Sequence, residues 1–154
     1  MNIEYLADHK DVIPILAQWF YDEWGYLYPD RTLEDVERHI SERTNKNKIP
    51  VTMIAFKGKE LVGTVCLKVN DMDTRLDLTP WLAGLYVSAS RRKEGIGSEL
   101  VLAIEKKAQA LGVKKLYLYT PESESFYSNL GWHVKERTKY HGYPVTIMQK
   151  EIVL

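Results

Sequence analysis

The chain has 154 residues, 45% of them hydrophobic, and 21 basic side chains stand against 21 acidic ones. That length buries a real core while defaulting to one domain, taken as residues 1–154, and zero net charge removes the positive field that a general nucleic-acid or acidic-membrane binder needs. A lone cysteine, Cys66, can form no internal disulfide, the N-terminus lacks a basic-then-apolar leader, and no apolar run approaches the ~20 residues that span a bilayer, so the expected setting is the cytoplasm.

Residues 2–7 alternate as a first strand, and residues 8–11 supply polar side chains to cap the helix that follows. In that helix Val12, Ile13, Leu16, Trp19, Phe20 and Trp24 recur at three- and four-residue intervals, and Pro14 is tolerated because it falls in the first turn. Residues 25–30 break the pattern. Thr32 and Asp35 then resemble a capping box opening a second helix, whose Leu33, Val36 and Ile40 make only a narrow apolar stripe. Residues 50–56 and 61–69 read as strands joined by Lys-Gly-Lys-Glu, which is hairpin chemistry, and the polar residues 70–80 read as a loop.

The next unit is a strand at 81–87, a basic loop, and a helix with Ile96, Leu100, Ile104 and Leu111 on one face before Gly112. A strand at 114–120 follows, so the order strand, helix, strand predicts a crossover between parallel strands. A short helix around 123–130 and two strands at 132–140 and 144–154 complete the chain.

The basic loop carries the functional question. A loop that leaves a strand and opens a helix presents unpaired N–H groups at the positive end of the helix dipole, which suits an anion. Gly95 and Gly97 keep side chains out of the way, and Arg91, Arg92 and Lys93 add charge. The spacing is neither a Walker motif nor the three-glycine dinucleotide fingerprint. On these residues alone, a tight turn with a solvated cationic face accounts for the pattern equally well.

Arg92-Lys93-Glu94-Gly95-Ile96-Gly97 reads as R-x-x-G-x-G, follows Leu85-Tyr86-Val87 and precedes a helix. It resembles the acyl-CoA pyrophosphate loop of the GNAT superfamily of N-acetyltransferases. Residues 126–132, Phe-Tyr-Ser-Asn-Leu-Gly-Trp, are similar to that family's aromatic-Tyr-x-x-x-Gly-aromatic segment, and the element order from residue 2 to residue 152 resembles its fold. The resemblance implies an α/β (α+β) fold: a single GNAT-like domain with a central mixed sheet of six to seven strands, a splayed parallel pair and about four helices. It also implies acetyl-CoA as co-substrate, no metal, and transfer to a primary amine of a small molecule or peptide by direct attack in a ternary complex. Two alternatives stand beside that: a non-catalytic acyl-CoA-binding or sensor module, and an acetyltransferase acting on protein N-termini or lysines. A homodimer is allowed but not indicated.

Position by position, the resemblance implies that the pantetheine arm pairs with backbone groups of Leu85 and Val87, on either side of Tyr86. The pyrophosphate would rest on the N–H groups of Arg92, Lys93, Glu94, Gly95, Ile96 and Gly97, with Ser98 within reach, and Tyr119 and Phe126 would flank the arm. Tyr127 would lie beside the thioester sulfur. A phenol titrating near ~10 can protonate a thiolate of pKa near ~8.5, which makes Tyr127 the general-acid candidate; a tyrosine packed in the core is the competing reading.

The sequence departs from the family pattern in two places. Where many relatives carry a glutamate or histidine before the loop, Trp81 and Ala83 stand, so the general base is left open among water, Asp73, Asp77, Asp22, Glu23 or none at all. Thr120 replaces a frequent asparagine. Acceptor contacts are expected from the tyrosine-rich residues 21–30 and 139–144, with Tyr26, Tyr28, Tyr140 and Tyr143 as candidates and Trp19, Phe20 and Trp24 read as core. The histidines at 9, 39, 133 and 141 lack metal-ligand spacing. His39 is read as a solvated helix-face residue, and His141 as a turn residue beside tyrosines.

Overall fold

The computed structural model describes residues 1–152 and organises them on one seven-stranded mixed sheet. Strands β1 (Asn2–Tyr5), β2 (Val51–Lys57), β3 (Glu60–Lys68) and β4 (Trp81–Val87) run antiparallel in sequence order. β5 (Lys115–Thr120) lies parallel to β4, and β7 (Tyr143–Glu151) inserts between β5 and β6 (His133–Tyr140). Residues 153 and 154, the end of the expected last strand, lie outside the described residues.

Helix α1 (Ile13–Trp24) carries Pro14 in its first turn, as its fixed φ and missing N–H allow. Its start corrects the expectation of a polar side-chain cap. The chain enters through two short 3-10 turns, Val12 occupies the cap position without a side-chain bond, and Asp8 pairs with Lys46 at 2.5 Å instead. Helix α2 (Leu33–Ser41) does open on a reciprocal capping box: Asp35 N–H donates to Thr32 Oγ1 at 3.1 Å, and Thr32 N–H donates to Asp35 Oδ2 at 2.9 Å. Such a cap is worth about 1 kcal/mol. Ile40 anchors this thin helix in a cluster with Leu6, Leu16 and Ile54.

Helix α3 (Ile96–Ala110) buries Ile96, Leu100 and Ile104, with Val101 and Ala108, against Ala55, Val62 and Val65 of the sheet. Leu111 falls just past the helix and is half-buried, and Gly112 takes the left-handed φ of +82° that ends it. After β5 comes α4 (Glu124–Asn129), and the turn that leaves it is held against α3 by a buried polar knot. Glu105 of α3 accepts from Trp132 Nε1 at 3.2 Å and from Lys150 Nζ at 2.8 Å, and Lys150 also donates to Leu130 O at 2.8 Å. Trp132 N–H donates back to Tyr127 O at 3.1 Å, which ties Tyr127 to the same knot.

The feature that makes a site is the divergence of β4 from β5. They share one register pair, Trp81 with Tyr117, supported by Tyr117 N–H donating to Pro80 O at 3.1 Å. A bulge bends β4 beyond it: Gly84 and Leu85 fall outside the β3 register, and Gly84 adopts φ +60°. Phe20 of α1 packs beneath this kink, 3.2 Å from where a Cβ on Gly84 would sit, so bulge and helix specify each other.

Candidate active site

The splayed strands open into a cavity of about 1390 Å³ lined from α1, α2, β4, the head of α3, β5, α4 and the β6–β7 turn. That is ample for a cofactor-sized molecule and a second ligand together. At one end lies the basic loop. The N–H groups of residues 92–98 make no backbone hydrogen bond among the described residues, the first helical bond of this segment being Glu99 N–H to Gly95 O at 3.2 Å. Seven consecutive N–H groups without a backbone partner at a helix head have the geometry and polarity that suit an anion. Gly95 supplies its turn with φ +83° and open space around its Cα, and Lys93 also takes a positive φ, of 68°. Gly97 serves packing instead: a Cβ there would lie 3.3 Å from Phe126 Cζ and 3.7 Å from Val87 Cγ2, so its bare Cα lets α4 and β4 close on α3.

The loop cations are not equivalent. Arg91 binds Glu60 through two N–H groups at 3.1 and 2.6 Å, and Glu94 pairs with Lys57 and, at 3.8 Å, with Arg91. These four charges cancel. Arg92 and Lys93 have no carboxylate partner among the described residues; Arg92 Nε donates to Val87 O at 3.2 Å and its guanidinium lies 5.5 Å from the Tyr86 ring. One of the two backbone positions expected to meet the pantetheine arm is thus engaged by Arg92 in this structure.

Leu85, Tyr86, Val87, Arg92, Lys93, Gly95, Ile96, Gly97, Ser98, Tyr119, Phe126 and Tyr127 all line the cavity, whereas the Glu94 carboxylate is turned to its ion pairs. Tyr127 is 7% exposed, and its hydroxyl has no hydrogen-bond partner among the described residues. Burial, and after it the Asp71 carboxylate, pushes the phenol well above its ordinary range, so it is a neutral donor at any physiological pH. Tyr119 is held up in the same way by burial, Asp71 and Tyr28.

The acceptor candidates assemble into two aromatic groups. Tyr28 OH lies 3.3 Å from both Tyr119 OH and Tyr140 OH, and Tyr26 stacks edge-on with Tyr143 at 4.9 Å. Trp19 stacks on Tyr86 at 5.0 Å and Trp24 meets it edge-on at 6.1 Å, which is packing of α1 on β4, although Phe20 and Trp24 also reach the cavity. Trp81 is fully buried and donates to Leu78 O at 2.6 Å, while Ala83 reaches the cavity. Thr120 Oγ1 accepts from the N–H groups of Glu122 and Ser123, at 3.3 and 2.9 Å, so it shapes the turn into α4.

Of the carboxylates considered from sequence, Asp73 and Glu23 line the cavity; Asp22 accepts from Gln18, and Asp77 is held by Arg75 at 3.1 Å, both outside it. Sequence reasoning missed Asp71. Its side chain is 16% exposed, paired with Lys68 at 3.0 Å, and it lines the cavity with Tyr119 and Tyr127. His39 also corrects its expectation: it is half-buried and lines the cavity. His141 rests on Tyr140 at 4.1 Å with its Nε2 3.8 Å from Asp73. Among the described residues no group of three or more His, Cys, Asp or Glu is placed to hold a metal, and no helix is long and apolar enough to cross a membrane.

A family model described as "Acetyltransferase (GNAT) family" matches residues 13–132. No curated protein sequence matches. Among solved structures, an aminoglycoside 6'-acetyltransferase type Ii superposes with a TM-score of 0.78 at 24% identity, covering 100% of this chain and 99% of the other. An aminoglycoside 6'-N-acetyltransferase complexed with coenzyme A gives 0.77 at 21%, covering 100% and 98%. The aminoglycoside 6'-N-acetyltransferase from Enterococcus faecium gives 0.74 at 21%, also covering 100% and 98%. At these identities the likeness is one of fold.

Proposed function

The chain belongs to the GNAT acetyltransferase family, and on that premise we propose that it transfers the acetyl group of acetyl-CoA to a primary amine of a small molecule or peptide, directly, within a ternary complex. The observation that carries this reading is the row of seven free N–H groups at the head of α3, opening onto the same cavity as the Tyr127 hydroxyl. The cradle fits a pyrophosphate, with Arg92 and Lys93 as its free charges, and the gap between β4 and β5 fits an extended arm that completes the sheet. Acetyl-CoA, when bound, supplies the activated acyl group as a thioester.

The chain's own groups divide the work. The backbone N–H of Leu85, released from the β3 register by the bulge, meets the developing negative charge on the acyl oxygen. The Tyr127 phenol donates toward the departing sulfur, and because its own ionisation is suppressed it serves first as a hydrogen-bond donor. Asp71 receives the acceptor's ammonium and takes one of its protons; as the tetrahedral intermediate collapses, the second passes through the Tyr127 hydroxyl to the departing sulfur, so the acetylated amine and the CoA thiol leave together. Cys66 takes no part: it is 2% exposed on β3, and burial pushes its thiol above the ordinary range.

A thiol-release assay with acetyl-CoA and a broad amine panel tests the reading. Amine-dependent release of free CoA thiol with matching acetylation of the amine is expected. Acetyl-CoA binding with no turnover on any amine would instead mark a sensor module. Acceptors such as the aminoglycosides of the structural neighbours belong on the panel as one arm among several.

A further inference from the structure

The wall of the cavity formed by α2 and the residues flanking it is cationic. Arg31, His39 and Arg43 all line it, all are half-buried, and none has a carboxylate partner among the described residues. Arg38, their neighbour on α2, is paired with Asp35 and lies outside the cavity. Arg31 lies 3.8 Å above the ring of Tyr28, whose hydroxyl meets Tyr119 and Tyr140, so this wall adjoins the acceptor tyrosines. Of the other half-buried cations, Lys68 is paired with Asp71 and Lys150 with Glu105, whereas Lys107 donates to the Tyr5 hydroxyl and Lys115 has no carboxylate partner among the described residues. Half-buried guanidinium groups lose hydration; Arg31 recovers part of it over the Tyr28 ring, and Arg43 has no carboxylate partner among the described residues.

We propose that this wall is a carboxylate subsite and that the acceptor is an amine also bearing a carboxylate, as an amino acid or a peptide C-terminus does. The proposal rests on the acetyl-transfer reading of the cavity. A guanidinium fork pairs a carboxylate with two parallel hydrogen bonds, and Arg31 and Arg43 bring two such forks. Asp71, though paired with Lys68, lines the same cavity, as do Glu23 and Asp73, so a zwitterion finds carboxylates for its ammonium as well as arginines for its carboxylate. A polycation would meet Arg31 and Arg43 with its own sign at this wall, while the carboxylates of Glu23, Asp73 and Glu122 line other parts of the cavity. His39 reports the local field: burial, then Arg31, Arg43 and Arg38, lower its proton affinity against the opposing pull of Glu42.

The experiment compares matched acceptors: lysine with its decarboxylated diamine, a short peptide with a free or amidated C-terminus, and an aminoglycoside as the polycationic probe. The kcat/KM for thiol release is measured together with calorimetric binding of each acceptor to the CoA complex. The carboxylate member of each pair should lead by at least about tenfold, the scale of one charged hydrogen bond. Arg31→Gln and Arg43→Gln should collapse that lead through KM, Arg43→Lys should retain part of it, and CoA affinity should not move. Equal or better use of the decarboxylated, amidated or polycationic acceptors overturns the proposal, as does an unchanged ratio in folded, CoA-binding variants. Absence of turnover on every amine brings down the acetyl-transfer reading. Calorimetry still decides the subsite then, since carboxylates that bind the CoA complex and lose binding in Arg43→Gln uphold it, and carboxylates that do not bind overturn it.

Discussion

Asp71 and Tyr127 share one cavity, and the carboxylate's field adds to burial in keeping the Tyr127 phenol protonated. A hydroxyl that is neutral, 7% exposed and without a protein partner among the described residues is available to a ligand atom. Tyr127→Phe removes only that hydroxyl. It should lower kcat by ~10²- to 10⁴-fold, the range of general-acid loss, while acetyl-CoA affinity in a calorimeter stays close to the parent's. Because the folded-state pKa is raised, no alkaline limb from this group should appear in the parent's kcat profile below about pH 10, the ordinary phenol value. The same sign makes the tyrosine's contribution to stability complete below about pH 10 and lost as pH rises further. A variant that binds acetyl-CoA and turns over at the parent's rate would return Tyr127 to core packing.

Gly95 and Gly97 should respond differently. Gly95→Ala places a Cβ in open space but on a φ of +83°, so it should cost about 1 kcal/mol of stability and weaken CoA binding modestly. Gly97→Val drives a branched side chain into Phe126, which flanks the cleft, and should reduce CoA affinity by a larger factor than Gly95→Ala does. Melting curves and calorimetry on both variants separate the two effects. Equal CoA affinity in Gly97→Val and the parent would show that Phe126 does not shape the cofactor cleft.

Arg92→Ala should weaken CoA binding in a salt-sensitive manner, whereas Arg91→Ala should act mainly on stability. Arg91 is already neutralised by Glu60 and Glu94, and Arg92 has no carboxylate partner among the described residues. Affinities measured at low and high ionic strength check this, since a partly exposed phosphate contact is screened by salt. A reversed order of effect would mean that the Glu60 pair opens when cofactor binds.

Cys66→Ser should leave kcat unaltered and lower the melting temperature. The thiol is 2% exposed, with Thr52 Oγ1 donating to it at 3.4 Å, and a hydroxyl in its place exchanges a small hydrophobe for a polar group at a cost of roughly 1–3 kcal/mol. Lost turnover in a folded variant would reopen a covalent route through sulfur.

The His39 imidazole is pushed below its ordinary value by burial and by the neighbouring arginines. A depressed pKa means that the fold favours the neutral ring, so the associated stability is present above about pH 6.5 and is lost as pH falls through the folded-state value. The stability of His39→Gln should therefore fall less steeply than the parent's as pH drops below about 6.5. Parallel curves would mean that the ring senses no such field in solution.

What could be read from the chain was what neighbouring residues decide. The Thr32–Asp35 capping box, Pro14 in a first turn, the hairpin at 57–60 and the glycine-opened helix after R-x-x-G-x-G are all local, and each takes the expected form. What escaped depends on pairings across the chain. Arg91 looks like a phosphate ligand until Glu60, 31 residues away, is found holding it. Asp71 reads as loop polarity until the polar segment after β3 folds toward Tyr119 and Tyr127. His39 sits in a charged helical run and reads as solvated, because the thin apolar stripe of α2 does not show how far that helix leans over the cavity. The splay of β4 was implied by the resemblance to the family, but its cause, the bulge at Gly84 over Phe20, is a meeting of two distant segments.

Direct transfer inside this cavity can be decided by a single turnover. The protein is mixed with an equimolar amount of acetyl-CoA, with and without an accepting amine, quenched, and weighed as intact protein and as acceptor by mass spectrometry. A direct route predicts an acetyl group on the amine, free CoA in equal amount, and no acetylated protein under either condition. Acetyl appearing on the protein before the amine is added, or acetyl-CoA remaining bound and unchanged beside every amine offered, would contradict it.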